Sequence, residues 1–326
     1  MNATAASDAL ANPRPRKSGA GADRLFQWIT AGSAWFVLIL LAGTAASMAW
    51  GGRLAFQTFG WHFVTGRDWD VGAGKFGAFV PIYGTLVTSA IALIIAVPVS
   101  IGIALFLTDI APRWSRGPIA IAIELLAAIP SIIYGMWGLF IFAPFMATHV
   151  EPWLTAHLGD KPFIGALFSG PPIGIGMLTA GIVLGIMVIP FVSSVAREVF
   201  SAVPPALRES AVALGSTRWE ILSRVTLPYT RSAIIGAVFL GLGRALGETM
   251  AVTFVLGNAH DLSASLLMPS NSIAAAIANE FTEADTDLYR SSLIALGFLL
   301  FVVTFIVLTI AKLLLLRINR QLGRTH

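Results

Sequence analysis

Six apolar stretches, each long enough to cross a lipid bilayer, constrain the fold of this chain most strongly. They lie at about 26–50, 79–108, 118–146, 172–196, 229–256 and 291–316. A helix of about 20 apolar residues spans the hydrocarbon core of a membrane. Charged residues make up 12% of the sequence, against about 25% in soluble domains, which excludes an ordinary soluble fold. The sequence therefore predicts an all-α polytopic membrane protein with six transmembrane helices.

The basic residues indicate how these helices are oriented. Of the 21 Lys and Arg residues, fifteen lie in the N-terminal tail, around the segments 113–116 and 197–231, or at the C-terminal end. Five lie in the loops on the opposite side. Cytoplasmic loops of membrane proteins carry the excess of Lys and Arg. Both termini and the 197–228 segment are therefore predicted to be cytoplasmic. Because the basic residues flank the apolar stretches, the net charge of +4 is explained by membrane orientation and does not indicate nucleic-acid binding.

The N-terminal residues lead into a retained membrane anchor. The apolar run from Trp28 to Trp50 is longer than the core of about 7–15 residues that a signal peptide carries. Residues 1–24 are predicted to be a disordered cytoplasmic tail. Residues 25–326 are predicted to form one six-helix transmembrane domain with a cytoplasmic loop at 200–228. The chain has no cysteine, which excludes disulfides, thiolate zinc sites and cysteine nucleophiles.

The cytoplasmic loop at 200–228 carries start and stop signals for two short helices. Pro204–Pro205 suits a first helical turn, and Gly215 suits a left-handed residue that ends the helix. Thr217 and Glu220 have the spacing of a capping box at the start of a second helix. Pro228 is predicted to end that helix and open the fifth span. The loop is therefore either a docking surface for another protein or an interfacial loop without a partner.

Signatures of catalysis are absent from the sequence. No Gly-x-x-x-x-Gly-Lys-Ser/Thr run occurs, so the chain has no phosphate-cradling loop for ATP. None of the five histidines lies centrally in a predicted span, and no metal cluster or nucleophile–base pair stands at a telling spacing. We therefore predict that the chain is not an enzyme, and that ATP, if used, is hydrolysed by a separate subunit.

Charged residues inside the fifth stretch point to a polar path. Arg244 and Glu248 stand four residues apart and are predicted to pair on one helix face, because isolated charges at bilayer depth are costly. The planar donor fork of Arg244 matches an oxyanion, so we interpret it as lining an anion path, with Thr249 as a neutral donor. The alternative is an ion pair that only fixes helix packing.

The third stretch contains a proline and a carboxylate. Pro130 is predicted to break the helix beside the path. Ser131 is a candidate path residue, although Ser131 and Tyr134 are also ordinary packing residues. Glu124 lies nearer the cytoplasmic end and is predicted to pair with a basic group or to act as a gate residue.

The outer loops give a weaker signal. The last of them is acidic, with Asp261, Glu280, Glu283, Asp285 and Asp287. This pattern fits either a solvated face or a docking rim for an outer partner protein. Residues 51–78 carry no pattern that predicts a role for them.

The loop at 200–228 resembles the EAA loop of ATP-binding-cassette (ABC) importer permeases, and we call it the coupling loop. The matching positions are Glu209, Ala211, Gly215, Leu227 and Pro228. Ser210 replaces the first alanine of that motif, and Val225 takes its hydrophobic position. The resemblance implies that the loop inserts into a groove of an ATPase subunit and transmits its closure to the membrane helices.

Three further motifs make the resemblance specific. They are Gly84-Thr-Leu-Val-Thr-Ser, Glu124-Leu-Leu-Ala-Ala-Ile-Pro-Ser and Gly243-Arg-Ala-Leu-Gly-Glu-Thr-Met-Ala-Val. Together they resemble the C-type permease subunit of phosphate ABC importers over most of residues 26–316. The resemblance implies a type I ABC importer permease fold in the bacterial inner membrane. It also implies that Arg244 and Glu248 matter to transport.

The same resemblance implies a set of partners. These are a sister permease in a heterodimer, an ATPase dimer that uses the ATP, and an extracytoplasmic phosphate-binding protein. The chain itself would bind no cofactor and would form half of the path of an ATP-driven phosphate importer. The alternative is an ion-coupled secondary transporter or channel for an anion, with Glu124, Arg244 and Glu248 as a relay.

Overall fold

The computed structural model describes residues 20–162 and 164–322, and within them the chain is helical almost throughout. Six helices have the length and the apolar composition to cross a membrane, which confirms the predicted number. In chain order, spans one to six are Asp23–Gly51, Phe79–Ile110, Ser131–Leu158, Met177–Ser201, Arg218–Leu246 and Asp287–Arg317.

Span one belongs to a unit of its own, which ends at Trp50. It is carried by α1 (Ala20–Gly51), whose apolar side chains are exposed along its length, Trp28 and Trp35 among them. An exposed apolar helix of this length suits contact with lipid or with another membrane helix. The helix begins inside the segment predicted as a tail, and residues 1–19 lie outside the described residues.

Residues 51–78, for which no role was predicted, form a small folded segment. It consists of α2 (Arg53–Phe59), α3 (His62–Thr65) and an antiparallel hairpin of β1 (Trp69–Asp70) and β2 (Lys75–Phe76). Its buried rings Phe63 and Phe76 share one hydrophobic cluster with residues of α14 (Ile273–Glu280) and α15 (Asp287–Leu322). The cluster joins the segment to the last outer loop and to span six.

Spans two and four form the centre of the helix bundle. Span two is α4 (Phe79–Leu105) with a π-helical turn at Phe106–Ile110, and span four is α9 (Met177–Ser201). Small residues allow the two helices to approach closely: Ala92 and Ala180 are fully buried, and a Cβ added to Gly181 would lie 2.6 Å from Ile91. The bounds of span four differ from the predicted 172–196, since α9 starts at Met177 and ends at Ser201.

Span three begins after a helix break, so its predicted bounds of 118–146 are wrong. α5 (Arg113–Ala128) ends before Ile129 and Pro130, whose backbones are extended, and the spanning helix starts at Ser131. Proline lacks an N–H and disfavours helical backbone in the preceding residue, and the predicted break at Pro130 is confirmed. The span then runs through α6 (Ser131–Trp137), α7 (Ala143–Phe145) and α8 (Glu151–Leu158), joined by π-helical turns at Gly138–Phe142 and Met146–Val150.

Span five also departs from its predicted bounds of 229–256. One helix runs through α11 (Arg218–Ile221), a π-helical turn at Leu222–Thr226 and α12 (Leu227–Leu246). The prediction that Pro228 separates the loop from the span is wrong. Pro228 is the second residue of α12, just after the π-helical turn where the hydrogen-bond register changes, and the helix continues through it. The helix stops at Leu246, and α13 (Met250–Val255) starts after residues 247–249.

The outer connections are held by backbone hydrogen bonds. A 3₁₀ turn at Gly165–Leu167 precedes span four. The residues at the start of α9 bond to the end of α13 and to the loop that follows it. Gly176 donates to the Val255 carbonyl at 3.1 Å, and Met177 donates to the Met268 carbonyl at 3.3 Å. Thr85 of the Gly-Thr motif in α4 accepts the Ile273 N–H at 3.0 Å, so it supports the start of α14.

Candidate functional site

The coupling loop begins with α10 (Pro205–Ala213), as predicted, with the proline in the first helical turn. The helix ends in a Schellman motif. Gly215 has φ +81, its N–H donates to the Val212 carbonyl at 2.9 Å, and the Ser216 N–H donates to the Ala211 carbonyl at 3.1 Å. This confirms the predicted left-handed conformation of Gly215, which a residue with a branched side chain adopts only with strain.

The predicted capping box forms at the start of α11. The Glu220 N–H donates to Thr217 Oγ1 at 3.3 Å, and the Thr217 N–H donates to Glu220 Oε2 at 2.9 Å. These two bonds satisfy donors that a helix start otherwise leaves open. Local signals in the sequence therefore determine the helix–turn–helix shape of this loop.

An ion pair fastens α10 to the membrane helices. Arg208 Nη1 donates to Asp109 Oδ1 at 2.8 Å, and Arg208 Nη2 donates to the Phe200 carbonyl at 2.8 Å. Asp109 lies at the end of span two, and Phe200 lies at the end of span four. Sequence reasoning missed Arg208, because its carboxylate partner lies 99 residues away in the chain.

Part of the surface of α10 and of the turn that follows it is open. Glu209 is exposed, and so are the apolar side chains of Leu207, Val212 and Leu214, the last at 87%. Ala211 is buried under the helix. Apolar side chains grouped with a charge at the tip of a loop are typical of a protein-binding surface. Leu227 packs inward against a cluster that includes Phe200.

A side-chain hydrogen bond satisfies a backbone carbonyl at the helix break before Pro130. Pro130 has no N–H for the carbonyl four residues before it, which is that of Leu126. The Tyr134 hydroxyl donates to this carbonyl at 2.9 Å, so Tyr134 has a structural role. Ser131 is the half-buried first residue of α6. Gly135 faces α13 closely, since a Cβ there would lie 3.1 Å from Ala251 Cα.

Glu124 has the basic partner that was predicted for it. Arg197 Nη2 donates to Glu124 Oε1 at 2.7 Å, which joins α5 to the end of span four. Glu124 lies on α5 and therefore outside the spanning helix, contrary to its predicted position in the third span. The Glu124 side chain is 54% exposed, and surface ion pairs of this kind contribute little stability.

Arg244 and Glu248 do not pair, so this prediction is wrong. The helix ends at Leu246, and Glu248 leaves the helix face that carries Arg244. Glu248 Oε1 instead accepts the Ala251 N–H at 3.4 Å, beside Thr249 at the start of α13. The exposed Arg244 guanidinium lies 6.0 Å from the Phe191 ring and has no carboxylate partner among the described residues.

One carboxylate of the acidic outer loop, that of Glu280, is partly buried and lies in a hydrogen-bond network. Glu280 accepts bonds from Trp69 Nε1 at 2.8 Å, from the Tyr289 hydroxyl at 2.7 Å and from His260 Nε2 at 2.8 Å. Burial raises the pKa of Glu280, but the donated hydrogen bonds outweigh burial and hold this pKa below its ordinary value. The network links residues 51–78 to the last outer loop. The other four acidic side chains of that loop are exposed.

Comparison with known proteins identifies the class. A family model described as the binding-protein-dependent transport system inner membrane component matches residues 96–320. The chain therefore belongs to this family of transport-system membrane components. A bacterial ABC transporter involved in the import of the acidic polysaccharide alginate has a chain of the same fold. That chain is 20% identical, with a TM-score of 0.56 over 90% of this chain and 99% of the other.

Relatives of higher sequence identity indicate the kind of transport-system component. The phosphate transport system permease protein PstC of Xylella fastidiosa is 60% identical over 304 residues, which cover 93% of this chain and 94% of the relative. PstC of Mesorhizobium japonicum is 54% identical over 301 residues, or 92% of each chain.

These similarities support three of the expectations from the sequence. The chain has the type I ABC importer permease fold. It is a multi-pass inner membrane protein. It is a translocation component, since the relatives are permeases and not enzymes.

Proposed function

We propose that this chain is the permease subunit of an ATP-driven importer of inorganic phosphate and forms half of its translocation path. The observation that carries the proposal is the 60% identity to a phosphate transport permease over 93% of the chain. The described residues add a coupling loop whose open face suits a protein partner.

The partners follow from the same argument. The open face of α10, around Glu209, binds a groove of the ATPase, and two ATPase copies use ATP, since this sequence has no phosphate-binding loop of its own. A sister permease completes the path as a heterodimer, and a phosphate-binding protein docks outside. The distribution of Lys and Arg supports cytoplasmic termini and a cytoplasmic coupling loop.

The path residues are proposed from their position at helix ends. Arg244 is the leading candidate, because its guanidinium has no carboxylate partner among the described residues and keeps its donors for an oxyanion. Thr249 and Glu248 lie at the adjoining break, and Ser131 lies at the start of α6. Breaks of this kind occur where backbone lines a polar cavity.

The mechanism is alternating access. ATP binding draws the ATPase subunits together, and α10 moves with them. Because Arg208 ties α10 to Asp109 and to the Phe200 carbonyl, this motion passes directly to spans two and four. The bundle opens outward, receives the anion from the binding protein and releases it inward past Arg244. ATP and the loaded binding protein shift this equilibrium through their differential affinity for the two states.

The secondary-transporter alternative is not favoured. It needs Glu124, Arg244 and Glu248 to form a relay. Glu124 instead pairs with Arg197 on a helix outside the spans, and Glu248 does not pair with Arg244. Family membership in a binding-protein-dependent system also disfavours it.

The energy source separates the two functions. Labelled-phosphate uptake is measured in cells that lack the chain and in cells where it is restored. One arm depletes ATP while keeping the proton gradient, and the other adds an uncoupler while keeping ATP. We expect uptake to stop in the first arm and to continue in the second. The opposite pattern would establish the secondary transporter.

A further inference from the structure

A groove lined by arginines lies where the coupling loop meets the ends of the spans. Its volume is about 670 Å³, and its polar lining consists of Thr108, Arg116, Arg197, Glu198, Ser201 and Arg208. These residues come from the end of span two, from α5, from the end of α9 and from α10. Four elements that carry the coupling contacts therefore share one polar surface.

The lining side chains include more arginines than carboxylates, and two of these arginines are ion-paired to carboxylates beside the groove. Three arginines face the groove against one carboxylate, Glu198. Glu124 and Asp109, which pair with Arg197 and Arg208, do not line it. These two ion pairs hold their guanidinium groups in fixed positions. Arg208 Nε is buried and has no hydrogen-bond partner in the described chain.

Arg116 differs from the other two arginines of the groove because its terminal nitrogens make no hydrogen bond among the described residues. Its Nε donates to the Ala111 carbonyl at 2.8 Å, which fixes the side chain against the start of α5. Among the described residues it has no carboxylate partner, so both terminal nitrogens remain available. A guanidinium held at Nε presents its terminal nitrogens as a fork, which matches the oxygens of a phosphate group.

We propose that this groove binds a phosphate group from the cytoplasmic side, and that Arg116 is its principal ligand. Two sources carry that chemistry: free inorganic phosphate and the headgroup of an anionic phospholipid. The free-phosphate source rests on the proposed function, because imported phosphate is released on this face. The groove is distinct from the path at Arg244, which does not line it.

Binding here has a consequence for the transport cycle. Arg208 belongs to α10, whereas Arg116 and Arg197 belong to α5 and α9. A phosphate group that contacts all three stabilises the arrangement in which α10 is docked on the spans. A ligand with this differential affinity opposes any step that moves α10 away from them.

The test compares Arg116→Met with Arg113→Met, an exposed arginine on the same helix that does not line the groove. The full transporter complex is placed in nanodiscs of phosphatidylcholine, and its thermal midpoint is measured against inorganic phosphate at constant ionic strength. A second arm replaces part of the lipid with phosphatidylglycerol. Any phosphate bound at Arg244 affects both variants equally.

We expect phosphate or phosphatidylglycerol to stabilise wild type and Arg113→Met alike. In Arg116→Met, the phosphate or phosphatidylglycerol concentration that gives half of the stabilisation should rise about tenfold, since one charge-assisted contact is lost. Arg116→Lys keeps the charge but lacks the two terminal nitrogens of the guanidinium, so the concentration that it needs should lie between those of wild type and Arg116→Met. A response to phosphate alone identifies the free ion, and a response to phosphatidylglycerol alone identifies the lipid. Equal responses of Arg116→Met and Arg113→Met to both probes overturn the proposal, whether or not wild type imports phosphate.

Discussion

At the scale of single residues, the arginines of this chain differ in whether they form an ion pair with a carboxylate. Arg197 pairs with Glu124 and Arg208 pairs with Asp109, and both pairs join helices. Arg244 lies beside the Phe191 ring and has no carboxylate partner in the part of the chain that the structure describes. An arginine kept in a membrane protein without a fixed counter-ion is costly, and this cost is understandable if a transported anion supplies the missing charge.

Arg244→Ala should therefore abolish phosphate uptake while the complex still assembles. Arg244→Lys keeps the charge but loses the bidentate fork, and we expect uptake at least about tenfold below wild type. Arg231→Ala, on the same helix, serves as the control. Labelled-phosphate uptake, normalised to the amount of complex in the membrane, measures the effect. Wild-type uptake by Arg244→Ala would refute the anion-path role.

Glu280 is expected to stabilise the outer segment in a pH-dependent way. Because its pKa is lowered in the folded chain, its contribution is present above the unfolded pKa and is lost as the pH falls through the folded pKa. Glu280→Gln should reduce the unfolding free energy by about 1–3 kcal/mol at neutral pH. The difference in unfolding free energy between wild type and Glu280→Gln should shrink in acid, below the ordinary glutamate pKa of 4.5. Denaturation across pH, with exposed Glu283→Gln as control, checks this, and a constant gap would contradict it.

At the scale of elements, helix ends determine the functional geometry. The coupling loop was predictable because a proline, a glycine and a capping box act within a few residues of each other. The end of α12 at Leu246 was not predictable, because residues 243–250 contain no proline and the sequence on both sides of them is apolar. Sequence spacing alone therefore predicted an Arg244–Glu248 pair that the break removes.

Replacing Gly215 tests whether the shape of the coupling loop is needed for docking. Gly215→Val forces a branched residue into a left-handed conformation, which costs about 1–2 kcal/mol and should weaken ATPase binding while membrane insertion stays intact. Gly215→Asn tolerates this conformation and should retain binding. Co-purification of the ATPase is the measurement. Equal recovery with Val and with Asn would show that the loop shape does not govern docking.

At the scale of the whole molecule, the number of spans was predictable, whereas contacts between distant residues were not. The length of the apolar stretches predicted the six spans, and Pro130 predicted the helix break before span three. The folded segment at 51–78 was missed because its elements are short and acquire their core from α14 and α15. The Arg208–Asp109 pair was missed for the same reason, since only the fold brings the two residues together.

The proposed orientation can be tested directly, because the chain has no cysteine of its own. Single cysteines at the exposed positions Ala213 and Ala264 mark the coupling loop and the last outer loop. A membrane-impermeant maleimide added to intact spheroplasts should label Ala264→Cys and should leave Ala213→Cys unlabelled until the membrane is opened. The reverse pattern would place the coupling loop outside the cell.

The most direct test of the account is labelled-phosphate uptake in cells that lack this chain, with and without the chain restored. Excess sulfate is added as a competitor, because sulfate permeases share the coupling-loop motif. The account predicts restored uptake that sulfate does not reduce. A correctly assembled complex that fails to restore uptake, or uptake that sulfate suppresses, would contradict the assignment of phosphate as the transported anion.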